Sequence, residues 1–175
     1  VSTKHIAIGA GAGASLMAIV MQTVVPTLQD LEGTRLQSYK DIGGVLTVCT
    51  GHTGPDVTVG KVYSPSQCAA LTQQDAQIAA SGVLKVSPQL LYHPVQLASA
   101  VSFSYNVGVG TYDKSSVARD FNAGNFTLAC NDLLKYTYAD GKYSTGLANR
   151  RKQENLLCLS TLTPLGMKNV ATANS

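Results

Sequence analysis

Residues 27–54 read TLQDLEGTRLQSYKDIGGVLTVCTGHTG, and two periodicities meet inside them. From Thr27 to Lys40, the apolar Leu28, Leu31, Leu36 and Tyr39 recur at mixed helical spacing, which predicts a helix weakened at Gly33. From Asp41 to Gly54, β-branched residues interrupted by glycines predict a short β-hairpin. Glu32 and Asp41 stand on either side of the junction. Glu32 closes an apolar stretch between Leu31 and Gly33, where partial desolvation favours the protonated acid. Asp41 opens the glycine-rich hairpin, where solvent and exposed backbone favour the ionised form. Nine residues apart, the two cannot pair along one helix, but a helix followed by a hairpin can set them on opposite walls of a cleft.

Outward from this junction the pattern is mainly helical. Ser64-Pro65-Ser66-Gln67 is a helix start, with Ser64 as the cap, Pro65 in the first turn and Gln67 completing a capping box, and the helix is expected to run to about Ala80. From Ser87-Pro88 the helical pattern resumes, with breaks expected at Asn106 to Gly110, Asn122 to Asn125 and Asp140-Gly141. A last helix is expected from about Gly146 to Leu159, with a frayed tail beyond Pro164. No internal repeat is present. The expected class is α+β, mainly helical with one small sheet. The chain of 175 residues has room for one domain with its own core. Its 45% hydrophobic and 13% charged residues exclude a disordered polyelectrolyte. A net charge of +3 falls far short of a dedicated nucleic-acid binder, so no nucleic-acid partner is expected.

The low charge is concentrated at the start. No ionisable side chain occurs between His5 and Asp30, and Ile6 to Leu28 is a run of 23 residues, long enough as a helix to cross a hydrocarbon core of about 30 Å. Gly9, Gly11, Gly13 and five alanines dilute it, so insertion is expected to be marginal. Lys4 on one side and Asp30 on the other point the N-terminus into the cytoplasm and the body outward. A cleaved signal peptide fits less well, since the candidate Ala-Gly-Ala sites lie inside the apolar run. A plain buried helix remains a competing reading. The expected division is residues 1–28 as a membrane-competent segment and 29–175 as the body. Four cysteines, Cys49, Cys68, Cys130 and Cys158, show no metal-ligand spacing, so no metal is expected and disulfides suit an exported body. Of three possible pairings, Cys49 with Cys68 and Cys130 with Cys158 close the most local loops.

Cleaving a glycosidic bond takes one carboxyl group to protonate the leaving oxygen and a second to stabilise charge or activate water. Glu32 and Glu154 are the only glutamates, and by spacing alone Glu32 with Asp41 is a weak signal. Their surroundings strengthen it. Glu32, Asp41 eight intervening residues later and Thr47 five intervening residues after that reproduce both gaps of a known signature. Gly51-His52-Thr53-Gly54, Asn106-x-Gly108-x-Gly110, Asn122-Ala123-Gly124 and GLANRR from Gly146 to Arg151, followed by Glu154, continue it in order. This set, over roughly residues 28 to 160, resembles the phage-type lysozymes of glycoside hydrolase family 24.

The resemblance implies a lysozyme-like fold and an N-acetylmuramidase without a cofactor, acting as a monomer on bacterial peptidoglycan. It assigns Glu32 as general acid, with Asp41 and Thr47 positioning water for inversion. His52 and Asp75 match the family's structural ion pair. The family usually carries a Trp near Tyr136, and this chain has no Trp. Residues 6–28 look like the signal-anchor-release segments of certain lambdoid-phage endolysins, which span the inner membrane and later slip out into the periplasm. Read from the residues, Arg150 and Arg151 with Glu154 form a local helical ion-pair face. Two alternatives stay open: a lytic transglycosylase, which needs one glutamate and no second carboxylate, and a catalytically silent peptidoglycan-binding protein.

Overall fold

Gly33 adopts φ +71°, and its N–H returns to the carbonyl of Gln29 at 3.0 Å. This left-handed cap, which glycine adopts without a Cβ clash, ends helix α1 (Ala10–Glu32). The computed structural model describes residues 10–41, 43–139 and 141–160. The helix expected over Thr27–Lys40 therefore stops at Glu32, and Arg35–Lys40 is strand β1. Strand pairing outweighs the helical spacing here. Tyr63 N–H donates to Leu36 O at 2.8 Å and Ser38 N–H to Lys61 O at 3.2 Å, while β2 (Leu46–Cys49) pairs antiparallel with β1. With β3 (His52–Thr53) the order is β1-β2-β3. The hairpin expected over Asp41–Gly54 thus forms, and gains a third strand from residues expected to be helical.

Helix α2 (Pro65–Val86) starts as expected: Ser64 Oγ accepts from Gln67 N–H at 3.2 Å, and Gln67 Oε1 accepts from Ser64 N–H at 2.8 Å. It runs on past Ala80 through Ser81-Gly82, where helix meets helix so closely that a Cβ on Gly82 would lie 2.5 Å from a Val109 methyl. A 3₁₀ turn (Pro88–Tyr92) leads into α3 (Pro94–Val107), followed by α4 (Val109–Asp113), α5 (Ser116–Asn122), α6 (Phe126–Asp132) and a second 3₁₀ turn (Leu133–Lys135). The break expected over Asn106 to Gly110 narrows to Gly108, and that at Asn122 to Asn125 separates α5 from α6. The break expected at Asp140-Gly141 falls between β4 (Tyr138–Ala139) and β5 (Lys142–Tyr143), which pair as a second sheet, so the described residues hold two small sheets and not one; Asp140 itself lies outside the described residues. Helix α7 (Thr145–Leu159) closes the described fold. The class is α+β and mainly helical, as expected.

Helix α3 is the centre of the molecule. Val95 and every residue from Leu97 to Ser104 are buried, because α1, α2 and α7 all pack against it. From α1, Val20, Met21, Val24 and Leu28 enter this core on one face. The boundary expected at residues 28/29 therefore falls inside a continuous helix. No helix among the described residues is long and apolar enough to cross a membrane. The first residues of the expected anchor, 6–9, and the tail beyond Pro164 lie outside the described residues. A second, smaller cluster of Val48, Cys49, Val57, Tyr63 and Cys68 underlies the sheet. Disulfides Cys49–Cys68 and Cys130–Cys158 tie β2 to α2 and α6 to α7, across sequence separations of 19 and 28 residues.

Candidate active site

Because α1 ends at Glu32, its last side chain meets the α3–α7 pair. The Glu32 carboxylate, 31% exposed, accepts a hydrogen bond from Arg150 Nη1. Arg150 is itself buried and fully oriented: Nε donates to Glu154 Oε1 at 3.0 Å and Nη2 donates to the Ser102 carbonyl at 3.0 Å. Glu154, 0% exposed, also accepts from Ser102 Oγ at 2.8 Å and from Arg151 Nη2 at 2.9 Å. Arg151 lies over the Phe103 ring at 4.8 Å. Burial pushes the Glu154 carboxyl above its ordinary range against the pull of both arginines, and pushes the Arg151 guanidinium down. Two cations face two carboxylates in one buried network, with Glu32 as its solvent-facing member.

The expected ion-pair face on α7 thus exists, but inside the protein and not on its surface. The bond from Arg150 to Glu32 was not among the expectations from sequence. Spacing shows only that Arg150, Glu154 and Cys158 recur every four residues and share one face of α7; that this face turns inward is set by its packing on α3.

Glu32 and Arg150 line a polar cavity of about 420 Å³, together with Asp30, Asn106, Ser144, Leu147, Asn149 and Gln153. Asn106 comes from the last turn of α3, and its neighbour Tyr105 lines a second cavity of about 250 Å³ with Gly51, Thr53, Asp75, Ser104 and Gly108. The end of α3 is therefore a floor shared by both. Tyr105 OH donates to the Thr50 carbonyl at 2.9 Å and so joins α3 to the sheet. Burial, then the charges of Asp75 and Glu32, push the Tyr105 phenol above its ordinary value.

Asp41 and Thr47 sit together on the β1–β2 hairpin, both bonded to Val45. Asp41 Oδ1 accepts from Val45 N–H at 2.8 Å, and Thr47 Oγ1 donates to the Val45 carbonyl at 3.0 Å. Asp41 is exposed, while Thr47 is 3% exposed. Neither lines the cavity that holds Glu32. The fold gathers Asp41 with Thr47 on the sheet and Glu32 with Arg150 on the helices, and the chain from Gly33 through β1 joins the two groups.

His52 binds two carboxylates: Nδ1 lies 2.8 Å from Asp75 Oδ2, and Nε2 lies 3.1 Å from Asp56 Oδ2. Burial pulls its pKa down, but hydrogen bonds and charge from Asp75 and Asp56 outweigh that, and the net shift is upward from 6.5. The Asp75 bond joins β3 to α2, and with the Cys49–Cys68 disulfide it ties the sheet to that helix.

Residues 29–154 match the phage lysozyme family. The SAR-endolysin of Enterobacteria phage PA-2 is 39% identical over 160 residues, covering 89% of this chain and 94% of that protein. The SAR-endolysin of Bacteriophage PS119 is 40% identical over 149 residues, covering 84% of this chain and 87% of that protein. Among solved structures, the active form of the P1 phage endolysin Lyz superposes with a TM-score of 0.71 at 25% identity, covering 84% of this chain and 93% of that one. A variant of P22 lysozyme gives a TM-score of 0.69 at 26% identity, covering 78% and 94%. With the family match running from the end of α1 through the sheet and into α7, and with relatives about 40% identical over most of both chains, the chain belongs to the phage lysozyme family.

Proposed function

We propose that this lysozyme is an endolysin that hydrolyses the β-1,4 bond between N-acetylmuramic acid and N-acetylglucosamine in peptidoglycan, with Glu32 as general acid and Asp41 and Thr47 orienting the attacking water. The observation that carries the assignment is the partly exposed Glu32 carboxylate, gripped by buried Arg150 at a cavity wall between α1, α3 and α7. The step requires Glu32 in its protonated form, which gives its proton to the leaving glycosidic oxygen as the anomeric carbon gains positive character. Water held by the Asp41 carboxylate and the Thr47 hydroxyl attacks the opposite face, its proton passes to Asp41, and the anomeric configuration inverts. Such a route asks for carboxyl groups about 6.5–9.5 Å apart across the bound sugar. His52 and Asp75 hold the sheet that carries Asp41 and Thr47, a structural role.

Glu32→Gln is expected to abolish turbidity loss of outer-membrane-permeabilised bacteria while leaving wall binding in place; persistent lysis would remove Glu32 from its role. A second reading, a lytic transglycosylase, draws on Asp41 lying outside the cavity that Glu32 lines. Mass spectrometry separates the two, since hydrolysis leaves reducing ends and the transglycosylase leaves anhydro-muramyl ends.

The relatives named SAR-endolysins support a membrane stage in which residues 6–28 anchor the chain in the host inner membrane, body outward, before release to the periplasm. Val20, Met21, Val24 and Leu28 supply the physical reason for a switch, because side chains seated in the core are not also in lipid. Changing Gly9, Gly11 and Gly13 to Leu deepens the apolarity of the segment and is expected to slow release. Equal rates of periplasmic release would defeat this reading. The released enzyme acts as a monomer, with no nucleic acid involved.

A further inference from the structure

Tyr138 and Tyr143 are cross-strand partners on β4 and β5, with ring centroids 5.8 Å apart and planes at 73°. They remain 64% and 59% exposed, and with Tyr92 they are the exposed aromatic residues among those described, so two of the three share one hairpin. The base of that hairpin is anchored. Tyr136 packs edge-on against buried Phe103 at 4.8 Å, its hydroxyl accepts from Ser116 N–H at 3.0 Å, and Ser144 N–H donates to the Thr137 carbonyl at 2.9 Å. Ser144 also lines the cavity that holds Glu32, as do Gly146 and Leu147 just beyond it. Tyr143 precedes Ser144, so its Cα stands about 3.8 Å from that of a cavity-wall residue. Tyr138 is about 5 Å further across the strand pair. The two rings are thus carried on a rooted hairpin that continues the wall of the Glu32 cavity.

We propose that the Tyr138–Tyr143 pair is a saccharide subsite, which takes a sugar ring of the glycan strand beyond those at the Glu32 cavity. This rests on the reading of the chain as a peptidoglycan muramidase. A pyranose presents C–H groups on its face and hydroxyls around its rim. A tyrosine ring matches both, with an apolar face for the C–H groups and a hydroxyl that stays in water. Hairpin stabilisation alone explains an aromatic pair but not its exposure beside this cavity. Holding the strand here, away from the bond being cut, raises affinity for long glycans without adding a group to the reaction itself.

The test uses the full chain with Glu32→Gln, so that substrate is bound and not cut. Binding is measured on glycan strands freed of stem peptides by an amidase, on intact sacculi, and on anionic lipid vesicles. Tyr138→Ala with Tyr143→Ala is expected to weaken binding to peptide-free glycan about five-fold. Tyr138→Leu with Tyr143→Leu, which keeps apolar bulk on the hairpin, is expected to do the same, whereas Phe at both positions keeps binding within about two-fold because the ring face makes the contact. Unchanged binding by the Leu pair overturns the proposal. So does a loss confined to sacculi that carry stem peptides, which would assign exposed Lys142 and its hairpin to an anionic peptide, or a loss seen on vesicles alone, which would assign the rings to a membrane surface. Lysis surviving Glu32→Gln would instead overturn the catalytic reading, and it would leave the Tyr-to-Leu binding difference still measurable.

Discussion

Arg150 shows how much one side chain settles. Its planar fork reaches three acceptors at once, the Glu32 carboxylate, the Glu154 carboxylate and the Ser102 carbonyl, a geometry lysine has no means to reproduce. Arg150→Met keeps most of the stem but leaves Glu154 short of a partner in a fully buried site. The expected loss is about 3–5 kcal/mol of stability in urea unfolding, together with a drop in lytic rate as Glu32 loses its orientation. A variant as stable and as active as the parent would show that the network is incidental. His52 gives the pH dependence. Its proton is bound more tightly in the folded chain than in the unfolded one, where the ordinary value is 6.5. The stability that it contributes is therefore full below about 6.5 and is lost as pH rises through the raised folded value. Unfolding free energies of the parent and of His52→Asn, compared from acidic to alkaline pH, are expected to converge as pH rises; a constant or widening gap contradicts the shift. Glu32, Asp41 and Thr47 could be singled out because their two gaps, and the motifs around them, lie close along the chain. Burial of Arg150 and Glu154 was not legible, because it depends on α3 covering that face of α7.

Two glycines set the elements. Gly33 stops α1 at Glu32 by adopting a left-handed φ, and so converts a run with helical spacing into β1. The spacing misled because Leu36 and Tyr39 fit a strand as well as a helix, and the decision belonged to partners elsewhere, the Lys61–Tyr63 backbone and β2. Gly82 acts differently. Alanine in its place improves helix propensity by about 1 kcal/mol, yet the new Cβ would lie 2.5 Å and 2.8 Å from the two Val109 methyls. A β-branched side chain has little rotamer freedom to retreat, and overpacking of this kind costs about 1–3 kcal/mol. Gly82→Ala is expected to lower stability by about 1 kcal/mol net, and adding Val109→Ala to recover most of it. A stabilised single variant, read by thermal unfolding, would show that α2 and α4 part easily. The Ser64–Gln67 cap was legible to the residue because a capping box is complete within four positions.

For the whole molecule, α1 is both the N-terminal segment and a wall of the core. Val20, Met21 and Val24 are at most 5% exposed, and each contributes roughly 1.5–3 kcal/mol by burial. Their sum is comparable to the whole stability of a typical domain, about 5–15 kcal/mol. A chain beginning at residue 27 is therefore expected to lose cooperative unfolding and to bind a hydrophobic dye, even though Glu32, Asp41 and Thr47 remain. A sharply unfolding truncated protein would show that the segment is dispensable to the fold. Each disulfide adds about 3 kcal/mol by closing a local loop, on the helical side as well as under the sheet. What the chain determined unaided is what lies close along it: Glu32, Asp41 and Thr47 at fixed gaps, the capping box, the apolar run free of charge and the mainly helical class. Tertiary structure alone decided the pairing of β1 beyond Gly33, the burial of the arginine–glutamate network and the seating of the first helix against α3. Each of these is an outcome of competition between partners far apart in sequence, and such competition is settled by packing and strand pairing, which no local spacing encodes.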